Sequence, residues 1–252
     1  MASHDFNRAI LRETAHRPWP MPDRPWLMTQ TWHNLLFAHW PVAHEALRGI
    51  VPRAFDLDQF DGRAWVGIVP FRMTNVAPRG IPSLPRLSEF PELNVRTYVR
   101  RGDKPGVFFF SLDAGSPVAV QAARLLLNLP YYSAVMRVEA DAGAVAYRSR
   151  RTGRPASAEL DARYSPSGPP AAPGRGTLEY FLTERYCLYA LSHRRRPYRL
   201  DIHHPPWPLQ PAQAEIARNT MTHAAGFALP DTRPLLHFAK RQDMVAWAPE
   251  RL

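Results

Sequence analysis

Two residue types are almost missing from this chain. Of its 252 residues one is cysteine, Cys187, and two are lysine, Lys104 and Lys240. A lone thiol excludes an internal disulfide and suits a reducing compartment, so the cytoplasm is the expected location. Two lysines leave little amine for imine chemistry. No apolar run reaches the roughly 18–20 residues that span a bilayer. The opening stretch, MASHDFNRAILRETAHRPWPMPDRPW, holds no apolar core of a secretory signal, and no membrane partner is expected. A glycine-rich phosphate cradle and a GxSxG elbow are both absent. The ten histidines show no metal-ligand spacing, so neither a metal nor a cofactor is expected.

Arginine is what the chain has in excess, and it carries the formal charge of +10. Its clusters are YRSRRTGRP (147–155) and HRRRPYR (193–199). No helix-turn-helix, zinc finger or RNA-stacking signature accompanies them, which disfavours a nucleic-acid partner.

The order of elements reads as mostly strands. Residues 1–27, rich in proline and arginine, suit an irregular arm; residues 28–252 suit a single domain. MTQTWHNLLFAHW (28–40) is a strand placing Thr31, His33, Leu35, Phe37 and His39 on one face. Pro41 suits the first turn of a short helix. Asp61-Gly62 turns the chain into the strand AWVGIVPFRM, and the proline-rich stretch 77–91 reads as a loop. ELNVRTYVR and VFFFSLDA are strands, followed by a helix capped by Ser116 and begun by Pro117. It stops near Leu129, ahead of Pro130. YYSAVMRVEADAGAVAYRSRR gives two strands around Gly143, and a further strand covers about 156–164. A Pro/Gly-rich loop follows over 165–176. LEYFLTERYCLYAL and PYRLDIHH read as strands, PAQAEIARNTMTHAAGF as a helix ended by Gly226, and LLHFAKRQDMVAW as a last strand. This pattern predicts a mainly antiparallel sheet or barrel with a few flanking helices.

Alternation puts Glu92, Asn94, Arg96 and Tyr98 on one face of ELNVRTYV. A polar solvent face and a barrel lumen both fit. In FLTERYCLY, Glu184 shares a face with Leu182 and Tyr186, opposite Arg185 and Cys187. His39 and Arg72 fall towards the ends of two further strands.

The blocks LLFAHWPV, FDGRAWVGIVPFRM, FPELNVRTYV, PGVFFFSLDA and LPYYSAVM, with FLTERYCLY, HHPPWPL and HFAKRQDMVAW later on, together resemble the YqjF-like domain-of-unknown-function family over about residues 28–248. That family is similar to the acetoacetate decarboxylase superfamily, which implies a closed antiparallel β-barrel or cone with helices around it. In acetoacetate decarboxylases a proline precedes two lysines, one forming a Schiff base and the other lowering its pKa. Here the joint is Pro130-Tyr131-Tyr132, and a phenol cannot form an imine.

The resemblance implies an enclosed pocket for a small organic acid or carbonyl compound, without the lysine pair. Glu92, Tyr131 and Tyr132 are the candidate acid, base and donor groups, one tyrosine facing in and the other out. Asn94, Arg96, Arg72, His39 and Glu184 are the candidate ligand-binding residues. The alternative is a non-catalytic binding or regulatory module on the same barrel; behind it stand an arginine-rich nucleic-acid binder and a residual decarboxylase. The sequence sets neither the ligand nor the oligomeric state.

Overall fold

The computed structural model describes residues 9–84, 88–153 and 158–252. Among them a 13-stranded sheet dominates. Its strands are β1 (Met28–Val42), β2 (Asp56–Leu57), β3 (Ala64–Pro78), β4 (Phe90–Arg101), β5 (Lys104–Ala114), β6 (Tyr131–Asp141) and β7 (Ala144–Arg151). The chain continues through β8 (Glu159–Pro166), β9 (Cys187–Leu191), β10 (Pro197–His203), β11 (Gln210–Asn219), β12 (Leu235–Ala246) and β13 (Glu250–Arg251). Helices α1 (His44–Arg48), α2 (Pro117–Leu127) and α3 (Leu178–Thr183) flank the sheet.

The sheet closes on itself twice. One circuit runs β1, β3, β4, β5, β9, β10, β12 and back to β1; the other leaves β5 through β6, β7, β8 and β11 to rejoin β12. Pairing is antiparallel except where β5 meets β6 and β9. The mainly β, barrel-like architecture expected from the strand pattern is therefore the one observed.

The two circuits share β12, β1, β3, β4 and β5, and their interiors differ. The one closed by β7, β8 and β11 is filled by Leu36, Ile68, Leu93, Val95, Tyr147, Leu160 and Tyr164, all buried in one apolar cluster. The other holds a cavity, described below. Strand β4 lies between them, so it has no solvent face along Glu92–Val99.

Local sequence explains most joints. Asp61 and Gly62 both take positive φ, 49° and 73°, as a two-residue hairpin turn with Phe60 opposite Arg63 requires. The Ser116 hydroxyl caps α2 by accepting from Ala119 N, Pro117 starts it, and Asn128 ends it in the left-handed conformation.

Several expectations need correction. Pro41 does not open a helix: β1 runs on to Val42, Pro41 pairs with Trp65, and α1 starts only at His44. The segment 178–191 is not one strand. Thr177 caps a helical turn by accepting from Tyr180 N, and the strand begins at Cys187. The helix expected from Pro211 to Gly226 is instead strand β11, which alternates half-buried and exposed along the edge of β8, followed by a 3₁₀ turn at His223–Ala225. Gly226 does stop that turn, at φ 87°. Strand β8 begins at Glu159; residues 156–157 of the predicted strand and 85–87 of the predicted loop lie outside the described residues, as do residues 154–155 and 1–8. From residue 9 the arm forms a helical turn and seats Ile10 against Val245 and Trp247. No helix among the described residues is long and apolar enough to cross a membrane.

A candidate ligand-binding cavity

Two asparagines set the walls of the cavity. Asn34 in β1 and Asn75 in β3 take positive φ, 52° and 54°, a conformation asparagine tolerates better than most residues. The register of the two strands shifts at both places, as a bulge requires. Met28, Gln30 and Trp32 line the cavity before Asn34, and Leu35 and Phe37 after it; in β3 the wall passes from Met73 to Val76 across Asn75. Thr31 and His33 therefore do not share the face of Leu35 and Phe37. Thr31 accepts from Asn75 Nδ2 at 3.1 Å, and His33 contacts Thr74 Oγ1 at 2.8 Å.

The cavity, open on one side, has a volume of about 300 Å³, with β4 contributing Glu92, Asn94 and Arg96 along its wall. Glu92 is 4% exposed, and its Oε2 accepts from the Tyr131 hydroxyl at 2.9 Å. Burial raises its pKa to about 8; the negative charge of Asp113 adds to the rise, and the Tyr131 hydrogen bond opposes it. At neutral pH this carboxyl is mostly protonated. Tyr131 in turn is pushed well above the ordinary phenol value, first by burial and then by Glu92.

The adjacent tyrosines divide as strand alternation requires. Tyr131 lines the cavity, whereas Tyr132 is not part of its wall. Tyr132 instead lies under the Arg151 guanidinium, 4.0 Å from its ring centroid. Arg151 donates from Nε and Nη2 to the two oxygens of Asp113 at 2.8 and 2.7 Å, and both side chains are buried. This bidentate pair ties β7 to β5 next to the β5–β6 seam, where Leu112 pairs with Tyr131 and Asp113 with Tyr132. Tyr132 braces the joint; Tyr131 faces the cavity.

Three buried polar atoms on the wall have no protein partner among the described residues: Asn94 Oδ1, Arg96 Nε and Trp207 Nε1. Arg96 donates from Nη2 to Leu182 O at 3.1 Å and lies over the rings of Phe37 and Tyr98.

The remaining sequence candidates fall elsewhere. Arg72 is exposed and paired with Glu89 at 2.6 Å. His39 is fully buried beyond Phe37, 2.6 Å from the Tyr98 hydroxyl, and burial and the Arg96 charge hold its pKa well below the usual histidine value. It is not part of the wall. Glu184 stands behind the wall: Oε1 accepts from Trp207 N at 2.9 Å and Oε2 from the Tyr186 hydroxyl. It positions Trp207 and does not reach the cavity itself.

Sequence reasoning missed Gln30, Arg185, His204 and Trp207, all of which line the cavity. Arg185 donates to Asp58 Oδ2 and to Phe181 O, each at 2.6 Å. Its place became visible only once 178–183 proved helical. Burial lowers the His204 pKa to about 4, leaving a neutral ring. The only advance signal for His204 and Trp207 was the block HHPPWPL, whose prolines interrupt the ladder. Neither lysine lines the cavity. Lys104 Nζ sits 5.8 Å from the Trp19 ring, and Lys240 is exposed.

Comparison with known proteins agrees with this fold. YqjF of Bacillus subtilis (strain 168), described as an uncharacterized protein, is 47% identical over 227 residues, spanning 90% of this chain and 93% of its own. Among solved structures, an acetoacetate decarboxylase-like enzyme from Sphingomonas wittichii RW1 superposes with TM-score 0.60 at 12% identity, covering 94% of this chain and 97% of that one. Acetoacetate decarboxylase from Legionella pneumophila gives TM-score 0.60 at 12% identity, covering 96% and 94%. The enduracididine biosynthesis enzyme MppR, solved with pyruvate, gives 0.60 at 9% identity, covering 94% and 93%. At such identities these structures establish a shared fold. The DUF2071 family model, for an uncharacterized conserved protein, matches residues 29–243, and with YqjF alike over nine tenths of its length the chain belongs to that family.

Proposed function

We propose that this protein binds a small organic acid or carbonyl compound in the cavity and acts on it without an imine. Glu92 serves as acid or base and Tyr131 as an O–H donor. One observation carries the reading. A carboxyl that keeps its proton up to about pH 8 is hydrogen-bonded to a phenol inside a cavity on whose wall Asn94 Oδ1 and Arg96 Nε have no protein partner among the described residues. Buried polar atoms of this kind are costly unless something satisfies them; a carboxylate or carbonyl oxygen would accept from Arg96 Nε, and a ligand hydroxyl would donate to Asn94 Oδ1. MppR, of the same fold, has been solved with pyruvate, which supports a ligand of this general kind. Both lysines lie off the wall, so among the described residues no lysine amine is placed to start a Schiff base.

The test is a thermal-shift screen of oxo and hydroxy acids, followed by turnover assays on any that stabilise the protein. Stabilisation that is lost in Arg96→Ala, with turnover lost in Glu92→Gln, is the expected result. A broad screen without a stabilising acid, or binding unchanged in both variants, refutes the proposal. A second reading, binding without chemistry, is favoured by the fact that Glu92 and Tyr131 already satisfy each other. Tight binding with no product on long incubation would select it.

A further inference from the structure

The wall has a shape that narrows the ligand class, given the binding role proposed above. Its polar groups on β4 are spread out. Glu92 and Arg96 are four residues apart, roughly 13 Å along an extended strand, and the β4–β5 register shifts between Val95 and Arg96. Their side chains turn to different partners, Glu92 to Tyr131 and Arg96 to Leu182. Arg96 is not among the groups that set the Glu92 proton affinity, as expected for groups well apart. Asn94 lies between them, and Phe37, Val69, Phe71, Phe109 and Leu112 supply apolar wall beside them.

The space is also large for a compact acid. A water molecule takes up about 30 Å³ of liquid, so about 300 Å³ is far more than a three-carbon oxo acid fills. Ala122 and Leu126 of α2 are the exposed members of the wall, Leu126 at 79%. The opening is therefore apolar, while Glu92, Asn94 and Arg185 are buried. A compact oxo acid on Arg96 would leave the aromatic and aliphatic wall in contact with water.

We propose that the cavity is built for an elongated acid: a carboxylate seated on Arg96, and a medium-chain or aryl hydrocarbon body lying along Phe37, Phe71 and Leu112, past Glu92 and Tyr131, towards the Ala122–Leu126 lip. The carboxylate supplies an acceptor for Arg96 Nε. The body removes the apolar wall from water, and each methylene buried strengthens binding several-fold at most.

Calorimetric titration with a matched series tests this. The probes are levulinate (4-oxopentanoate), 4-oxodecanoate, its uncharged amide, and 2-decanone. In the wild type 4-oxodecanoate should bind at least roughly tenfold more tightly than levulinate, and at least roughly tenfold more tightly than its amide. Arg96→Gln should weaken 4-oxodecanoate and leave 2-decanone unchanged. Ala123→Phe, which fills the wall beside α2, should erase the chain-length gain. The amide comparison keeps the charge test intact if Arg96→Gln does not fold. Equal affinity for levulinate and 4-oxodecanoate, with both dependent on Arg96, overturns the elongated class and leaves the proposed function standing. Equal affinity for acid and amide overturns the Arg96 seat. Binding of neither acid overturns this inference and, if the broader screen is also empty, the proposed function with it.

Discussion

Glu92 keeps its proton because three effects act on it unequally. Burial and the charge of Asp113 favour the neutral form, and the Tyr131 hydroxyl, by donating to Oε2, favours the ionised one. Removing that hydroxyl removes the only one of the three that lowers the pKa. Tyr131→Phe should therefore move the Glu92 pKa above about 8, read as the pH at which the carboxyl infrared band disappears; a downward shift would mean that the phenol does not donate to this carboxylate. Its neighbour predicts differently. Tyr132 packs under a guanidinium that is already fixed by two hydrogen bonds to Asp113. Tyr132→Ala should lose roughly 2–3 kcal/mol of stability, from the desolvated cation–π contact and the ring's packing. Tyr132→Phe should lose little. Neither should change ligand affinity more than Tyr131→Phe does, and denaturant melts with parallel titrations separate the two roles.

At the level of elements, the seam between β5 and β9 closes the circuit around the cavity, yet it pairs only Val107 with Leu188. Gly106 makes the approach feasible. A methyl group there would lie 2.7 Å from Cys187 Sγ, 2.8 Å from Cys187 O and 2.8 Å from the Tyr189 ring. Because a backbone oxygen is among these, the strands must part. Gly106→Ala should cost about 1–3 kcal/mol or more and weaken whatever the cavity binds, whereas Gly102→Ala in the neighbouring turn meets nothing within 4 Å and tests the effect of strain at positive φ alone. Equal losses in both would show that the seam is not tight. The same elements mark the limits of reading the sequence. Alternation located β4, β5, β6 and β12, because a strand between two buried layers or along a core leaves period two in its residues. It placed Glu92, Asn94 and Arg96 together for that reason. It failed at β1, where Asn34 shifts the phase by one residue, since a bulge has no hydrophobic signature. It failed again at β11, whose alanines and polar residues also satisfy a helix; pairing with β8, a contact distant in sequence, decides the matter. Arg185, His204 and Trp207 come from a helix end and a proline-rich connection, where periodicity says nothing about direction.

For the whole molecule, these buried groups oppose one another as pH changes. Burial lowers the His203 and His204 pKa values to about 4, from 6.5. Between those values the unfolded chain binds more protons than the folded one, so stability rises with pH and is lost as pH falls from 6.5 towards 4. Glu92 has the opposite sign. Its folded pKa of about 8 lies above the ordinary 4.5, so the folded chain binds the extra proton, and stability is lost as pH rises from 4.5 towards 8. Below pH 6.5 the two histidines outweigh it, joined by His33, His39 and His237, which are also lowered; the raised carboxyls Asp113 and Glu184 pull the other way. Above pH 6.5 those histidines are neutral in the folded chain and lose their remaining protons in the unfolded one, so towards pH 8 Glu92 dominates. Stability should peak near pH 6.5 and decline on both sides. Glu92→Gln keeps an amide oxygen to accept from Tyr131 but has no proton to lose, so it should flatten the alkaline limb and leave the acid limb in place. At pH 8 to 8.5 the variant should exceed the wild type by on the order of 4 kcal/mol, since each tenfold difference in proton affinity between the folded and unfolded chain is worth about 1.4 kcal/mol. Melting curves of both proteins from pH 5 to 8.5 measure this directly. An alkaline limb that is unchanged in Glu92→Gln would mean that the carboxyl is ionised in the folded protein, and the chemistry assigned to the cavity would lose its acid.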